Sequence, residues 1–408
     1  MEMRPPCTIS RATMNANFTR RTFVYSLAAL ALSRFLPELS AQTMSAKELA
    51  DAARAEKQHE GDSPDQAPPI AHLSSSLRPS AVKKAMGKVA GWELARSQPY
   101  FSQDWTYAAL YTGFMAASAA TGNHSYRDAM LAMGNKFDWK LGPRVEHADD
   151  QCIGQTYLEL YSHFRDPKMI APLRTQFDSI LALPAAPDDK LPWWWCDALF
   201  MAPPVWTGLA KATGESKYLD FVHREWWRTS ARLYDPEEHL FYRDASFIEL
   251  REANGKKVFW SRGNGWVMAG LVRLLETIPA SDVQRARYLE QYKQMSAAVL
   301  ALQGNDGLWR SGLLDPASYG LPEVSGSSFF AYALCWGVNQ GVLDRKTYQP
   351  AVARAWKGLL QHIYEDGRLG SIQQVGAGPA HFKTTSSYVY GVGAFLLAGS
   401  EVVKLPQK

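Results

Sequence analysis

Residues 192–204 read Pro-Trp-Trp-Trp-Cys-Asp-Ala-Leu-Phe-Met-Ala-Pro-Pro and set one carboxylate, Asp197, among apolar neighbours. Losing water disfavours an ionised carboxylate, so the segment predicts a raised pKa for Asp197. A carboxyl that keeps its proton near neutral pH can deliver it as a general acid, and an Asp that merely caps a helix is the competing reading. A second acid comes from residues 147–155, His-Ala-Asp-Asp-Gln-Cys-Ile-Gly-Gln. Here Asp150 is the candidate and Asp149 reads as a helix cap. Gly154 lies four residues after Asp150, which on a helix would leave the face beside that carboxylate open to a ligand. Two carboxylates supplied by different helices are the usual equipment for breaking glycosidic bonds.

A third element spans residues 259–266, Phe-Trp-Ser-Arg-Gly-Asn-Gly-Trp. Arg262 at a helix start, with two Gly allowing close approach and Trp260 and Trp266 alongside, suits a planar grip on a sugar carboxylate. The alternative is an Arg paired with a structural acid. The sequence holds no phosphate-binding loop, zinc helix motif, nucleophile elbow or calcium loop.

These residues must be positioned by helices. From about residue 81, apolar positions recur at three and four residues over 107–120, 155–164, 205–211, 265–278, 327–338 and 387–403, and strand alternation is scarce. A recurring punctuation separates them: Thr121-Gly122 with Tyr126, Thr213-Gly214 with Tyr218, Arg287-Tyr288, and Leu343-Asp344 with Tyr348. That spacing is one helical hairpin per unit, the mark of a closed α/α array with room for about six units. Small or capping residues precede four of the apolar helices, at 149–150, 264–265, 325–327 and 385–387. If these are inner helices, their N-termini share a rim suited to an anionic ligand; four ordinary caps are the simpler account.

Composition fits one large exported catalytic unit. Aromatic residues reach 12%, including 14 Trp and 18 Tyr, and such rings stack on sugar faces as readily as they fill cores. Residues 1–41 read as a signal peptide: Arg20-Arg21 ahead of the apolar run 23–32, with Ser40-Ala41 as a small-residue cleavage site, points to the twin-arginine route and a periplasmic or secreted product. A ten-residue run is too short to span a bilayer, so no membrane insertion of the mature chain is expected. Residues 42–80 read as a loosely held arm and 81–408 as the catalytic domain. The formal charge of +4 falls to near +1 without the five Arg and two Glu of the leader, leaving no basic patch for nucleic acid. Cys152, Cys196 and Cys335 sit in apolar segments and read as buried free thiols.

At the chemical segments the chain resembles the unsaturated rhamnogalacturonyl hydrolases, glycoside hydrolase family 105, and more distantly the unsaturated glucuronyl hydrolases of family 88. The resemblance rests on D-x-x-x-G at 150–154, W-x-D-A-L-F-M at 195–201, W-x-R-x-x-G-W at 260–266, S-G-S at 325–327 and G-x-G-A-F at 391–395. It implies an all-α (α/α)6 barrel, an oligosaccharide substrate, and neither metal nor organic cofactor. By the same resemblance Asp197 is the general acid/base, Asp150 the second essential carboxylate, and Trp195, Trp260 and Arg262 substrate contacts. Trp266, Ser325 and Tyr390, on or beside the same segments, together with Tyr107, complete the candidate binding set. The implied reaction is hydration of a vinyl ether: a proton goes to C4 of a 4,5-unsaturated uronic acid, water adds at C5, and the hemiketal opens to release the next sugar. Rhamnogalacturonan-type disaccharides are the expected substrate. Fragments of ulvan, glycosaminoglycan or arabinogalactan stay open, because Phe241-Tyr242-Arg243-Asp244 and Tyr390 stand where some family members place His. A sugar epimerase using His147 and His381, and a toroid that binds sugar without catalysis, are the readings from other classes.

Overall fold

A computed structural model describes residues 59–187 and 189–405, and the export signal read at 1–41 lies outside them. Helices dominate the described residues, in chain order α1 (Pro79–Ser97), α2 (Trp105–Thr121), α3 (Ser125–Lys136), the short α4 (Ala148–Gln151), α5 (Gly154–Phe164), α6 (Ala171–Leu181), the short α7 (Ala198–Met201), α8 (Pro203–Thr213), α9 (Ser216–Leu233), α10 (Ser261–Thr277), α11 (Arg285–Ala301), α12 (Val324–Asn339), α13 (Arg345–Leu360) and α14 (Val389–Val402). Local signals set several ends. Asp104 caps α2 by accepting from the Thr106 N–H at 2.9 Å, and Gly122, at φ 80°, closes it; Gly214, at φ 75°, ends α8 in the same left-handed turn.

The helices alternate between two rings. In α12 every residue from Val324 to Val338 is buried, so this helix is covered on all sides. By contrast α9 buries only a stripe, Tyr218, Phe221, Val222, Glu225, Trp226, Thr229, Ser230 and Leu233, and turns the rest outward. Packing closes an inner ring in the order α2, α5, α8, α10, α12, α14 and back to α2, with α4 and α7 leading into α5 and α8. The others lie outside, and the whole is the (α/α)6 toroid that the periodicity predicts. Glycine allows the closest crossing, where the first inner helix meets the last: a Cβ on Gly393 would stand 2.4 Å from the Ala109 carbonyl oxygen, and one on Gly113 would stand 2.6 Å from the Gly393 Cα.

Two expectations need correction. The arm is not loose over its described part: Gly61–Asp62 pairs antiparallel with Ser387–Tyr388, the Ala71 N–H donates to the Ile363 carbonyl at 2.7 Å, and Arg368 pairs with Asp62. Gly154 does not open a face to ligand, because a Cβ there would strike Val205 and Leu173; its smallness serves helix packing. The three cysteines are buried and free, as their surroundings predict.

Candidate active site

One rim of the toroid gathers the N-terminal ends of the inner helices. The short helices α4 and α7 pack on each other there. Asp197, at the start of α7, is buried, and burial raises its pKa while Arg243 and Arg262 pull it back down. Its Oδ2 lies 3.5 Å from the Arg243 Nε.

Asp149 and Asp150, adjacent in sequence, face different partners. Both Asp150 oxygens are held by Arg144: Oδ2 accepts the backbone N–H at 2.6 Å, and Oδ1 accepts from Nε at 3.0 Å and Nη2 at 2.5 Å. Asp149 instead feels Asp197. Burial first and the Asp197 charge second lift its carboxyl to about 7, with Arg144 opposing. Asp149 is therefore the carboxylate whose charge is coupled to Asp197, and Asp150 closes a turn against Gly142 and Arg144; the cap expected at Asp149 is supplied instead by His147. The reason lies in register: one residue on the first turn of a helix rotates a side chain by roughly 100°. His147 caps α4 by accepting the Asp149 N–H at 3.3 Å, and its ring lies 4.9 Å from Trp195. Burial and Arg144 lower its pKa.

Arg262 is fully buried between Trp260 and Tyr390, with its guanidinium carbon 4.4 Å and 4.8 Å from their ring centres. Its Nη1 and Nη2 donate to the backbone carbonyls of Gln373 and Gln374 at 2.7 and 2.8 Å. The two-pronged fork expected to hold a substrate carboxylate is thus spent on the backbone, and Arg262 acts on the site through its charge on Asp197. Gln373 is the hub beneath it: its side-chain oxygen accepts from Trp260 Nε1 at 3.0 Å and Ser311 Oγ at 2.5 Å, its carbonyl from the Tyr390 hydroxyl at 2.5 Å, and its N–H reaches Glu323. A lone Gln in a loop gives no signal in sequence.

The remaining candidates divide. Trp195 is buried beside His147 and Trp194, and its segment bridges to Asp244. Trp266 is buried and packs among Trp105, Phe200 and Phe329. Tyr107 is buried against Phe101 and Tyr111 in the core. The Ser325 N–H and hydroxyl both donate to buried Glu323, which also accepts the Gly326 N–H at 2.6 Å. The α12 N-terminus expected to greet an anionic ligand already holds this carboxylate. Sequence reasoning passed over Glu323 because it precedes the Ser-Gly-Ser run read as the cap.

The opposite rim holds a cavity of about 650 Å³ lined by Glu159, Arg273, Glu276, Tyr332, Glu401 and Lys404 among others. Arg273 there pairs with Glu159, and Lys404 with Glu401.

Residues 80–406 match the Glycosyl Hydrolase Family 88 description across nearly the whole toroid. The chain belongs to glycosyl hydrolase family 88. This family 88 chain is 40% identical over 356 residues to an unsaturated 3S-rhamnoglycuronyl hydrolase of Formosa agariphila, covering 82% of this chain and 94% of that protein. A protein of the same name from Alteromonas sp. is 33% identical over 355 residues, with 79% and 86% covered. A solved family 88 structure from Bacteroides vulgatus superposes with a TM-score of 0.76 at 31% identity, covering 80% of this chain and 99% of that one. The chain is a glycoside hydrolase, and the toroid read from the sequence agrees with these relatives.

Proposed function

We propose that the enzyme removes a 4,5-unsaturated uronic acid from the non-reducing end of lyase-generated oligosaccharides by hydrating its vinyl ether. The observation that carries this reading is the Asp149–Asp197 pair: a partly buried and a buried carboxyl, electrostatically coupled and each with a raised pKa, which favours keeping a proton on the pair. Asp197 gives its proton to C4. Water adds at C5 and returns one proton to the same carboxylate, and the hemiketal opens with release of the aglycone. Burial keeps Asp197 in its protonated form, and Asp149, coupled to it, orients the water. One carboxyl serves as acid and then base, so the spacing rule for retaining and inverting glycosidases does not govern this site.

The aglycone of the proposal is rhamnose bearing a 3-sulfate, the sugar denoted in the names of both relatives, rather than the rhamnogalacturonan type expected from motifs alone. Export through the twin-arginine leader belongs to the same proposal: a mature chain beginning near Gln42 is expected outside the cytoplasm, and Arg20→Lys with Arg21→Lys should retain it inside. A panel of unsaturated disaccharides, followed by loss of the ultraviolet absorbance of the C4=C5 bond, tests the substrate. Rhamnose 3-sulfate should be turned over fastest; a faster rate on unsulfated rhamnogalacturonan fragments would overturn that choice.

A further inference from the structure

Three guanidinium groups surround the carboxylate pair, and two are spent. Arg144 grips Asp150, and Arg262 grips the carbonyls of residues 373 and 374. Arg243 is different. Its backbone is fixed to the catalytic segment, because the Cys196 N–H donates to the Arg243 carbonyl at 2.8 Å and Trp195 bridges to Asp244 next door. One nitrogen, Nη1, donates to Asp244 Oδ2 at 2.7 Å. Buried Nε makes no hydrogen bond among the described residues, facing Asp197 Oδ2 at 3.5 Å, and the guanidinium lies 5.4 Å from the ring centre of Trp194. Trp194 is 49% exposed while its neighbours Trp193 and Trp195 are buried, so the middle ring of the three offers a face to the outside. A flat aromatic face beside a cation with unspent, partly desolvated donors is equipped to stack a sugar ring and bind an anionic group on it.

We propose that Arg243 and Trp194 form the subsite that reads an anionic oxygen group of the substrate, a uronate carboxylate or a sulfate ester, beside the general acid. The inference rests on the unsaturated-uronide reading above and names the residue that reads the charge. It carries a consequence for the chemistry. Free Arg243 stabilises ionised Asp197; an anion bound to the guanidinium offsets that influence, so substrate binding itself favours the protonated general acid.

The test compares wild type, Arg243→Gln and Arg243→Lys on three unsaturated disaccharides: the intact 3-sulfated acid, its methyl ester and its desulfated form. Turnover of the intact compound by wild type tests the underlying reading separately from this one. Arg243→Gln should lose about ten- to a hundredfold in kcat/KM on the intact compound. Its loss on one neutralised compound should be less than about threefold, and that compound identifies the anion that is read. Arg243→Lys should recover part of the rate and keep the basic pH limb of kcat near that of wild type, since it restores charge but not the planar fork. Should Arg243→Gln melt well below wild type, the same comparison is made with Arg243→Lys. Equal discrimination by wild type and variant against both neutralised compounds would overturn the proposal and leave Arg243 as a partner of Asp197 and Asp244 alone.

Discussion

The division of labour between two adjacent acids decides the chemistry at the scale of single residues. Asp197→Asn should lower turnover by about 10²-fold or more with an unchanged melting temperature, because the amide keeps the shape but carries no transferable proton. Asp149→Asn should be similarly damaging, and its stability should move the other way. The folded-state pKa of about 7 lies above the usual carboxylate value, so wild type gains stability below pH 4 and loses it as pH rises toward 7. The Asn variant lacks this slope. Its melting temperature relative to wild type should therefore rise between pH 4 and pH 8, and a constant difference would show that Asp149 is not held protonated. Asp150→Asn should keep most activity and lose about 1 kcal/mol of stability by thermal melting, since its Arg144 partner is largely solvent-exposed. The sequence singled out Asp197 by its apolar surroundings, with a helix cap as the competing reading, and the family resemblance made it the candidate acid. It could not separate Asp149 from Asp150, because both lie in one turn and the difference depends on Arg144, which folds back from a loop with no motif.

Elements were legible where burial is complete. The six apolar stretches named from periodicity are the six inner helices; α2, α10, α12 and α14 are buried over most of their length and so must be apolar, while α5 and α8 are buried over about half of theirs. Their starts were less legible: α10 begins at Ser261 and α12 at Val324, a few residues before the apolar signal, in first turns rich in Ser, Gly and Asn. Asn264, read as a cap, lies inside α10 and instead exchanges hydrogen bonds with the backbone of Phe241. The cap of α12 is Glu323, whose carboxylate also holds the Gln373 N–H under the Arg262 stack. Glu323→Gln should therefore lower stability by about 1 kcal/mol and also impair turnover, measured by melting and by steady-state rate. Full activity in that variant would uncouple the α12 N-terminus from the site. Closure of the ring makes a sharper demand: Gly393→Ala should destabilise by about 2–3 kcal/mol in denaturant unfolding, because the added methyl meets a backbone oxygen that cannot retreat.

The toroid as a whole turns local signals into one site. Its inner helices enter from one rim, so segments far apart in sequence, around residues 149, 197, 243, 262 and 373, meet around one carboxylate pair, while the charged cavity at the other rim pairs its own ions. Family motifs disclosed which segments meet, but not how their guanidiniums are spent, since that depends on carbonyls of a loop near residue 374. On the proposed mechanism, the raised pKa values of Asp149 and Asp197 also set the pH response of the enzyme. The rate should fall about tenfold per pH unit above roughly 7 as the pair loses its last proton, and in Asp149→Asn the fall should begin at lower pH, because Asp197 no longer has a like charge beside it. The most direct test follows the ultraviolet absorbance of the C4=C5 bond near pH 6 while quantifying the released sugar, for wild type and Asp197→Asn. Wild type should consume the double bond with one aglycone sugar released per bond lost, and Asp197→Asn should do neither at more than about a hundredth of that rate. Release of the aglycone with the absorbance intact, or an Asp197→Asn rate above about a tenth of wild type, would contradict proton delivery from Asp197 to C4.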